Sequence, residues 1–537
     1  MILFLKTLTA VATAIVSGMF IFAAFPPFEL SFLAWVALIP LFLTIAGKRG
    51  GHGFLLSLLY GIAFLMGIFN WILEVPKFTY VHHAILALYL GSYFGFFGLA
   101  FCVVVRRWGI APALFAAPFL WVSLEYLRSN LGFLALPWGL LAHSQYRHPA
   151  VIQVASLTGA YGISFLIVLV NSALAGIVMS AVSRLSKGES AFYHPLSRWS
   201  GKALILTASA CIAFALTYGY RTVSSPLMGE GIKVSVVQGN ILQKRKWDPK
   251  YAPLIMKTYA ELTEQASKDS PDLIVWPEAA TPRAITRDRE IYSEVRKVTA
   301  EAGTYLLLGS SQHRKFKSEE PGPKIKYLNS AFLIDPEQGM LREQRYKKIR
   351  LLPFGEYLPH ENVIPWSFIR IPDIVGYIPG EDFTVFALPT FRFGVTICWE
   401  SIFPDMVRQF VNRGAQFIIN ITNEAWFGKT AAPYQFVSMS VFRAVENRVF
   451  VVRCANTGVS CFIDPRGRVV DRVKDSNGQD IFVRGVKCSS VVPLDSRTLY
   501  TRYGDWLVWL SFVCSLAFIL FASLRTHKRA NSIPDHR

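Results

Sequence analysis

The chain has 537 residues, 52% of them hydrophobic, with a mean hydropathy of +0.35 and a formal net charge of +19. It is longer than a single hydrophobic core can organise and too apolar for an ordinary soluble enzyme. The positive charge does not point to nucleic acid, because no basic stretch is interleaved with aromatics in the manner of an RNA- or DNA-binding segment.

In chain order, long hydrophobic runs fill the first 220 residues and return near 505–524, whereas 225–500 has the mixed composition of a globular domain. Eight membrane spans are expected, near 4–24, 28–46, 54–75, 83–105, 110–127, 160–183, 202–220 and 505–524. Each approaches the ~20 residues needed to cross a bilayer. The second contains Pro40 and follows the FPPFE break at 25–29, so the first two are expected to be short or bent. Lys6 ahead of an apolar stretch ending in FAAF also fits a cleaved leader. Further spans follow at once, however, and the layout works with the first one retained.

The charges between spans set an orientation. With the N-terminus cytoplasmic, the inside segments are Lys48 and Arg49, Arg106 and Arg107, the 184–202 loop with Arg184, Lys187, Arg198 and Lys202, and the RTHKRANS tail. All are basic. The outside segments near 25–27, 76–82 and 128–159 carry fewer cations per residue, and the large polar stretch falls on their side. The expected organisation is a membrane domain of seven helices over 1–222, an outside catalytic domain over 223–500, and a last helix with a basic cytoplasmic tail over 501–537. Basic residues of the outside domain can also attract anionic headgroups.

Within the polar stretch, IKVSVVQ (232–238), DLIVWP (272–277), YLLLGS (305–310), SAFLID (330–335), FGVTIC (393–398) and FIINIT (417–422) read as buried strands. Helical segments at 250–268, 288–302 and 433–448 separate several of them, which gives an α/β domain with helices over sheets. Cys398 and Glu278 each close such a strand, where ligands gather in open α/β sheets. A thiol is a useful nucleophile only as thiolate and needs a base or a cation beside it. Glu278 can take the proton, and Lys348 in YKKIRLLPFGEYLP can stabilise the thiolate and an oxyanion. No His is well placed in these three segments, which argues against a Cys/His pair. Taken singly, the Cys reads as core packing, the Glu as a helix cap and the Lys as a solvated surface charge.

The flanking text decides between these readings. WPE at Glu278, Y-x-K-x-x-L-x-P-F-G-E at Lys348 and Glu356, and C-x-E at Cys398 and Glu400 resemble the nitrilase superfamily. VVQGNI followed by KWDP with Trp247, TNEAWFG (422–428) and RAVENR (443–448), together with the spans, narrow the resemblance to the bacterial apolipoprotein N-acyltransferases. The resemblance implies a multi-pass helical membrane domain joined to an α-β-β-α sandwich. It implies a Glu278, Lys348, Cys398 triad, supported by Glu356, Glu400, Trp247 and Trp399, with no metal or cofactor. An aromatic, often Tyr, is expected after the nucleophile, and this chain has Trp399. The implied reaction is a ping-pong transfer. A phospholipid, phosphatidylethanolamine by expectation, gives its acyl chain to Cys398, and the amine of a diacylglyceryl-cysteine on an apolipoprotein takes it. The implied setting is the bacterial inner membrane, with a monomeric enzyme, a periplasmic catalytic domain and both termini cytoplasmic.

Two further classes fit parts of the pattern. A membrane-tethered amidase would share the triad and let water take the acyl group. A transporter would fit the spans but leave the triad unexplained, and few ionisable residues lie mid-span. The segments GFLALPWGLL (132–141) and IPWSFIRIPDIVGYIP (364–379) are apolar enough to dip into the membrane interface or to pack on the chain's own helices. Of seven cysteines, Cys398, Cys454, Cys461 and Cys488 fall outside the spans; one disulfide is possible there, with its partners open.

Overall fold

The structure is a computed structural model that describes residues 2–185, 197–316, 324–361, 363–366, 376–495 and 497–530. The chain divides into two compact units, one of Met1–Leu73, Thr79–Ser224 and Asp505–Arg537, the other of Glu74–Phe78 and Ser225–Gly504.

Among the described residues of the first unit, six helices are long and apolar enough to cross a membrane: Phe4–Ala23, Gly50–Ile68, Tyr80–Trp108, Ile110–Asn130, Ala160–Leu185 and Trp199–Ser224. The expected last span lies in the helix Trp506–Ala530. The expected second span is not one helix. It splits into a 3-10 turn, Ser31–Trp35, and a seven-residue α-helix, Ile39–Ile45, which Pro40 starts rather than kinks. The split frees backbone groups that hydrocarbon cannot satisfy. Asn171 satisfies them: its amide donates to the Ala34 carbonyl at 2.9 Å, and its oxygen accepts from the Leu38 N–H at 2.9 Å. Eight is therefore an approximate count of spans.

Small residues let two of the long helices approach closely. A Cβ on Gly98 of Tyr80–Trp108 would lie 2.3 Å from the Gly53 carbonyl oxygen and 2.2 Å from Ser57 Oγ on Gly50–Ile68. Only glycine fits there, as expected where packing rather than hydrophobicity drives helix association. The buried Glu125 and Arg128 serve the irregular 132–141 segment. Glu125 Oε1 accepts from the Leu141 N–H at 3.0 Å, and Arg128 Nη1 donates to the Trp138 carbonyl at 2.7 Å. Trp138, Leu140 and Leu141 are buried within this unit, so the second half of the segment is packed protein rather than free to dip into lipid. Of the other apolar segment, 367–375 lie outside the described residues, as do 186–196 of the basic loop and 531–537 of the tail.

Among its described residues the second unit holds twelve strands: β1 Ile232–Gln238, β2 Leu273–Val275, β3 Tyr305–Phe316, β4 Lys324–Asp335, β5 Gly339–Lys347, β6 Val385–Ala387, β7 Arg392–Ile397, β8 Phe417–Thr422, β9 Phe450–Ala455, β10 Cys461–Ile463, β11 Val469–Arg472 and β12 Gly485–Val491. They form two six-stranded sheets, ordered β12-β1-β2-β3-β4-β5 and β11-β10-β9-β8-β7-β6. The centre of each is parallel (β1-β2-β3 and β7-β8-β9), and the flanking pairs are antiparallel. All six residues of β8 and of β9 are buried, as strands covered on both faces require.

Helices Ala252–Ser267 and Arg289–Ala302 cover the first sheet, their Tyr259, Leu262, Ile291 and Val295 sharing a core with Ile274, Trp276, Leu306 and Phe332. Pro404–Asn412 and Ala432–Asn447 cover the second. The inner faces meet at Cys454 of β9, whose thiol donates to the Val237 carbonyl at 3.4 Å and the Val275 carbonyl at 3.2 Å. This is the α-β-β-α sandwich.

Candidate active site

The parallel strands run the same way, so their carboxyl ends come together on one edge of the sandwich. Glu278 follows β2, Cys398 follows β7, and Thr422 and Asn423 close and follow β8. Lys348 is the first residue after β5, and Asn329 lies on β4. The chain therefore delivers a carboxyl, a thiol and an amine to one place from well-separated segments.

Lys348 is 1% exposed. Its Nζ donates to Glu356 Oε1 at 2.9 Å and lies 3.8 Å from Glu278 Oε1. Burial works to strip the proton from its ammonium, but Glu356, Cys398, Glu278 and Glu400 more than offset this and hold the lysine above its ordinary range. The Cys398 thiol is pushed up, first by burial and then by Glu278, against the pull of Lys348. A thiol raised in this way becomes a nucleophile only with a base beside it, and the Glu278 carboxylate is fixed by two donors. Its Oε1 accepts from Asn329 Nδ2 at 2.7 Å and its Oε2 from the Asn423 N–H at 2.8 Å. Asn329 Nδ2 also reaches Glu356 Oε1 at 3.2 Å, and Glu356 Oε2 accepts from the Leu352 N–H at 2.7 Å.

The loops carrying these groups are held in less common conformations. Cys398 has φ +57° and Ala279, next to Glu278, has φ +46°, left-handed values that cost a non-glycine residue roughly 1–2 kcal/mol. Gly309 of β3 lets the Glu278 loop approach, since a Cβ there would lie 2.7 Å from the Glu278 Cα. Glu400 clamps the other side. This fully buried carboxyl accepts from the Ile397 N–H at 2.8 Å, the Ile349 N–H at 2.8 Å, the Arg350 N–H at 2.9 Å and the Tyr346 hydroxyl at 2.9 Å. It joins the turn that presents Cys398 to the one that presents Lys348. Burial lifts it to about 7, against Lys348 and the backbone donors.

Further polar groups brace the nucleophile turn. Asn420 Nδ2 donates to the Cys398 carbonyl at 3.1 Å, and the buried Arg453 donates to Asn420 Oδ1 at 2.8 Å and pairs with Glu424. Burial lifts Glu424 to about 7, against Arg453. Arg443 pairs with Glu446 at 2.8 Å and donates to the Ile402 carbonyl at 3.0 Å, holding the turn Cys398–Ile402 at its far end. Trp399 is 6% exposed, donates its ring N–H to the Arg350 carbonyl at 2.7 Å and packs edge-on against Phe403.

Of the seven residues singled out from sequence, Glu278, Lys348, Glu356, Cys398, Glu400 and Trp399 meet in this cluster. Trp247 does not join these bonds. It is 47% exposed at the end of the short helix Gln243–Lys246. The lysine before it turns inward instead, with Lys246 Nζ on the Glu278 main-chain carbonyl at 2.9 Å. Lys246, Asn329, Asn420 and Asn423 are thus site residues that the sequence reading passed over. A polar residue interrupting an apolar strand was the signal for Asn329 and Asn420, and Lys246 and Asn423 stand within KWDP and TNEAWFG. All seven cysteines are free thiols.

Residues 233–493 match the carbon-nitrogen hydrolase family, and residues 17–173 match the apolipoprotein N-acyltransferase N-terminal domain. The chain is 35% identical to an apolipoprotein N-acyltransferase of Geobacter metallireducens over 94% of both chains. The chain belongs to the apolipoprotein N-acyltransferase family. A second relative of that name, from Chlorobaculum tepidum, is 29% identical over 94% of both chains. Among solved structures, a mutant amidase of the nitrilase superfamily from Nesterenkonia aligns with TM-score 0.37 and 17% identity over 53% of this chain and 98% of its own. The chain is thus an N-acyltransferase of this family, and it also carries helices apolar and long enough to cross a membrane.

Proposed function

We propose that the protein moves an acyl chain from a membrane phospholipid to the amine of a diacylglyceryl-modified N-terminal cysteine on an apolipoprotein. Cys398 is the nucleophile. Glu278 takes the thiol proton as sulfur attacks the donor ester, and the oxyanion forms toward the Lys348 ammonium and the Trp399 main-chain N–H. Collapse breaks the ester C–O bond. The departing lysophospholipid oxygen takes the proton back from Glu278, leaving a thioester. In the second half the acceptor amine attacks the thioester and passes a proton to Glu278, which returns it to the departing Cys398 sulfur as the amide forms. Glu356 and Glu400 hold Lys348 and the two turns. Trp399 shapes acyl access, and the half-exposed Trp247 is available to an incoming apolar substrate.

The observation that carries this reading is the buried Lys348 between Glu278 and Glu356, brought to the Cys398 thiol in a chain that also has six membrane-grade helices. Lipid-anchored donor and acceptor account for both halves of the chain. The basic inside loops support residues 223–500 working on the periplasmic side of the bacterial inner membrane, with both termini cytoplasmic and 1–222 and 501–537 in or beside the bilayer. The donor is proposed to be phosphatidylethanolamine and the enzyme a monomer.

The test incubates the full-length protein in detergent with labelled phosphatidylethanolamine and a diacylglyceryl peptide. Triacylated peptide and a hydroxylamine-sensitive label on Cys398 are expected, both lost in Cys398→Ala. Free fatty acid without transfer would make the protein a hydrolase, and an active Cys398→Ala would remove the nucleophile.

A further inference from the structure

Lys246 is a lysine where lysines rarely sit. It ends the helix Gln243–Lys246, is 2% exposed, and spends its ammonium on a main-chain oxygen, the Glu278 carbonyl at 2.9 Å. The same glutamate is held at its other end by Asn423, whose N–H binds Oε2 at 2.8 Å. Asn423 Nδ2 in turn donates to Gln243 Oε1 at 2.9 Å, on the helix that carries Lys246. Gln243, Lys246 and Asn423 thus form one brace around a single residue, fixing its carbonyl and its carboxylate together. The brace closes on a loop whose next residue, Ala279, is left-handed.

The ammonium also faces charge. Burial outweighs the upward push of Glu278 and Cys398 and leaves Lys246 lowered to about 8. The groups that face the thiol are Glu278, Lys348 and Glu356, with Thr422 beside them. Lys246 is therefore a second buried cation coupled to both partners in the proton transfer, although Lys348 is sufficient for the ion pair with Glu356.

We propose that Lys246 is a positioning residue for acylation of Cys398: it fixes the Glu278 main chain so that the carboxylate meets the thiol proton, and its charge favours the thiolate formed there. This rests on Cys398 as nucleophile and Glu278 as base. The proton passes from sulfur to the Glu278 carboxylate; Lys246 keeps its own protons and forms no bond to substrate.

The experiment uses full-length protein in detergent with two variants, Lys246→Met and Lys246→Gln. Single-turnover acylation by labelled phosphatidylethanolamine gives an amplitude and a rate constant, and iodoacetamide alkylation of Cys398 across pH gives the thiol midpoint. In Lys246→Met the amplitude should hold while the rate constant falls roughly 10²-fold, the scale of a misplaced catalytic group. The alkylation midpoint should move to higher pH. Lys246→Gln, which keeps a donor without the charge, should lose less rate and show the same direction of midpoint shift. A structural role alone would lower the amplitude, by reducing folded protein, and leave the rate constant and midpoint in place; that result overturns the proposal, as does a Lys246→Met rate within about threefold of wild type. If Lys246→Met does not fold, an unshifted midpoint in Lys246→Gln overturns it. Wild-type protein that forms no thioester on Cys398 would instead remove the nucleophile reading.

Discussion

Replacing Asn329 by Leu removes one donor from the site at nearly constant volume. Asn329 Nδ2 gives Glu278 Oε1 a 2.7 Å bond and reaches Glu356 Oε1 at 3.2 Å, so the loss falls mainly on Glu278. A hydrogen bond to a charged group contributes ~1.5–3 kcal/mol. At 1.36 kcal/mol per tenfold, losing the bond that holds the carboxylate should slow acylation by roughly 10- to 150-fold. The Asn423 N–H and Lys348 remain on Glu278, so the fall should be smaller than in Glu278→Gln. The assay is single-turnover thioester formation at fixed pH, in which the amplitude reports folded protein and the rate constant reports the step. A rate constant within about threefold of wild type, or a loss of amplitude alone, would refute the argument that Asn329 holds Glu278 for proton transfer.

Glu400→Ala should cost roughly 3–9 kcal/mol, because the Ile397, Ile349 and Arg350 N–H groups lose their acceptor and each such loss costs ~1–3 kcal/mol; a melting temperature unchanged from wild type in detergent would contradict the clamp. Gly98→Ala should destabilise by ~1–3 kcal/mol, since the new Cβ meets the Gly53 carbonyl oxygen at 2.3 Å, whereas Gly51→Ala, with nothing within 4 Å, is the control in the same melting assay. Equal melting of the two variants would mean that the two helices do not pack through Gly98. Asn171→Leu leaves the Ala34 carbonyl and the Leu38 N–H without their side-chain partner and should lower thermal stability by ~1–3 kcal/mol per group; the same melt reports it.

The strands most legible in the sequence were those buried on both faces. β2, β7 and β8 fall on continuous apolar runs, because a central parallel strand has no solvent side on which to place polar residues, whereas β9, equally buried, is interrupted by Arg453 and was not read. β5, β6, β11 and β12 carry partly exposed residues and gave no such signal. The second membrane segment misled for a related reason. Hydropathy counts apolar residues, but whether Ser31–Ile45 is one helix or two is settled by Asn171, which lies 137 positions from Ala34. The site divides in the same way. Cys398 and Glu278 stood out at strand ends, whereas Lys348 was picked out by its motif, and the flanking motifs rather than spacing joined the three. Lys246 did not stand out, since a lysine beside a tryptophan reads as the solvated neighbour of an aromatic anchor, and the folded chain reverses the two: Trp247 is outside and Lys246 inside.

That reversal bears on how a buried thiol can be activated. Removing its proton to solvent would leave a new negative charge in a cluster where burial already disfavours ions, and the upward push on the Cys398 thiol expresses that penalty. Passing the proton to Glu278 keeps the number of charges constant: one carboxylate is neutralised as one thiolate appears, and Lys348 faces a negative partner before and after. Glu356 pairs with Lys348 at 2.9 Å and, with the other carboxylates, favours its charged form, which keeps the ammonium anchored and protonated beside the thiol. A site built in this way has no need of a preformed thiolate. It needs the carboxylate, sulfur and ammonium held at fixed separations while charge moves among them, and the bonds from Asn329, Asn423, Lys246, Glu400 and Asn420 are placed to hold them.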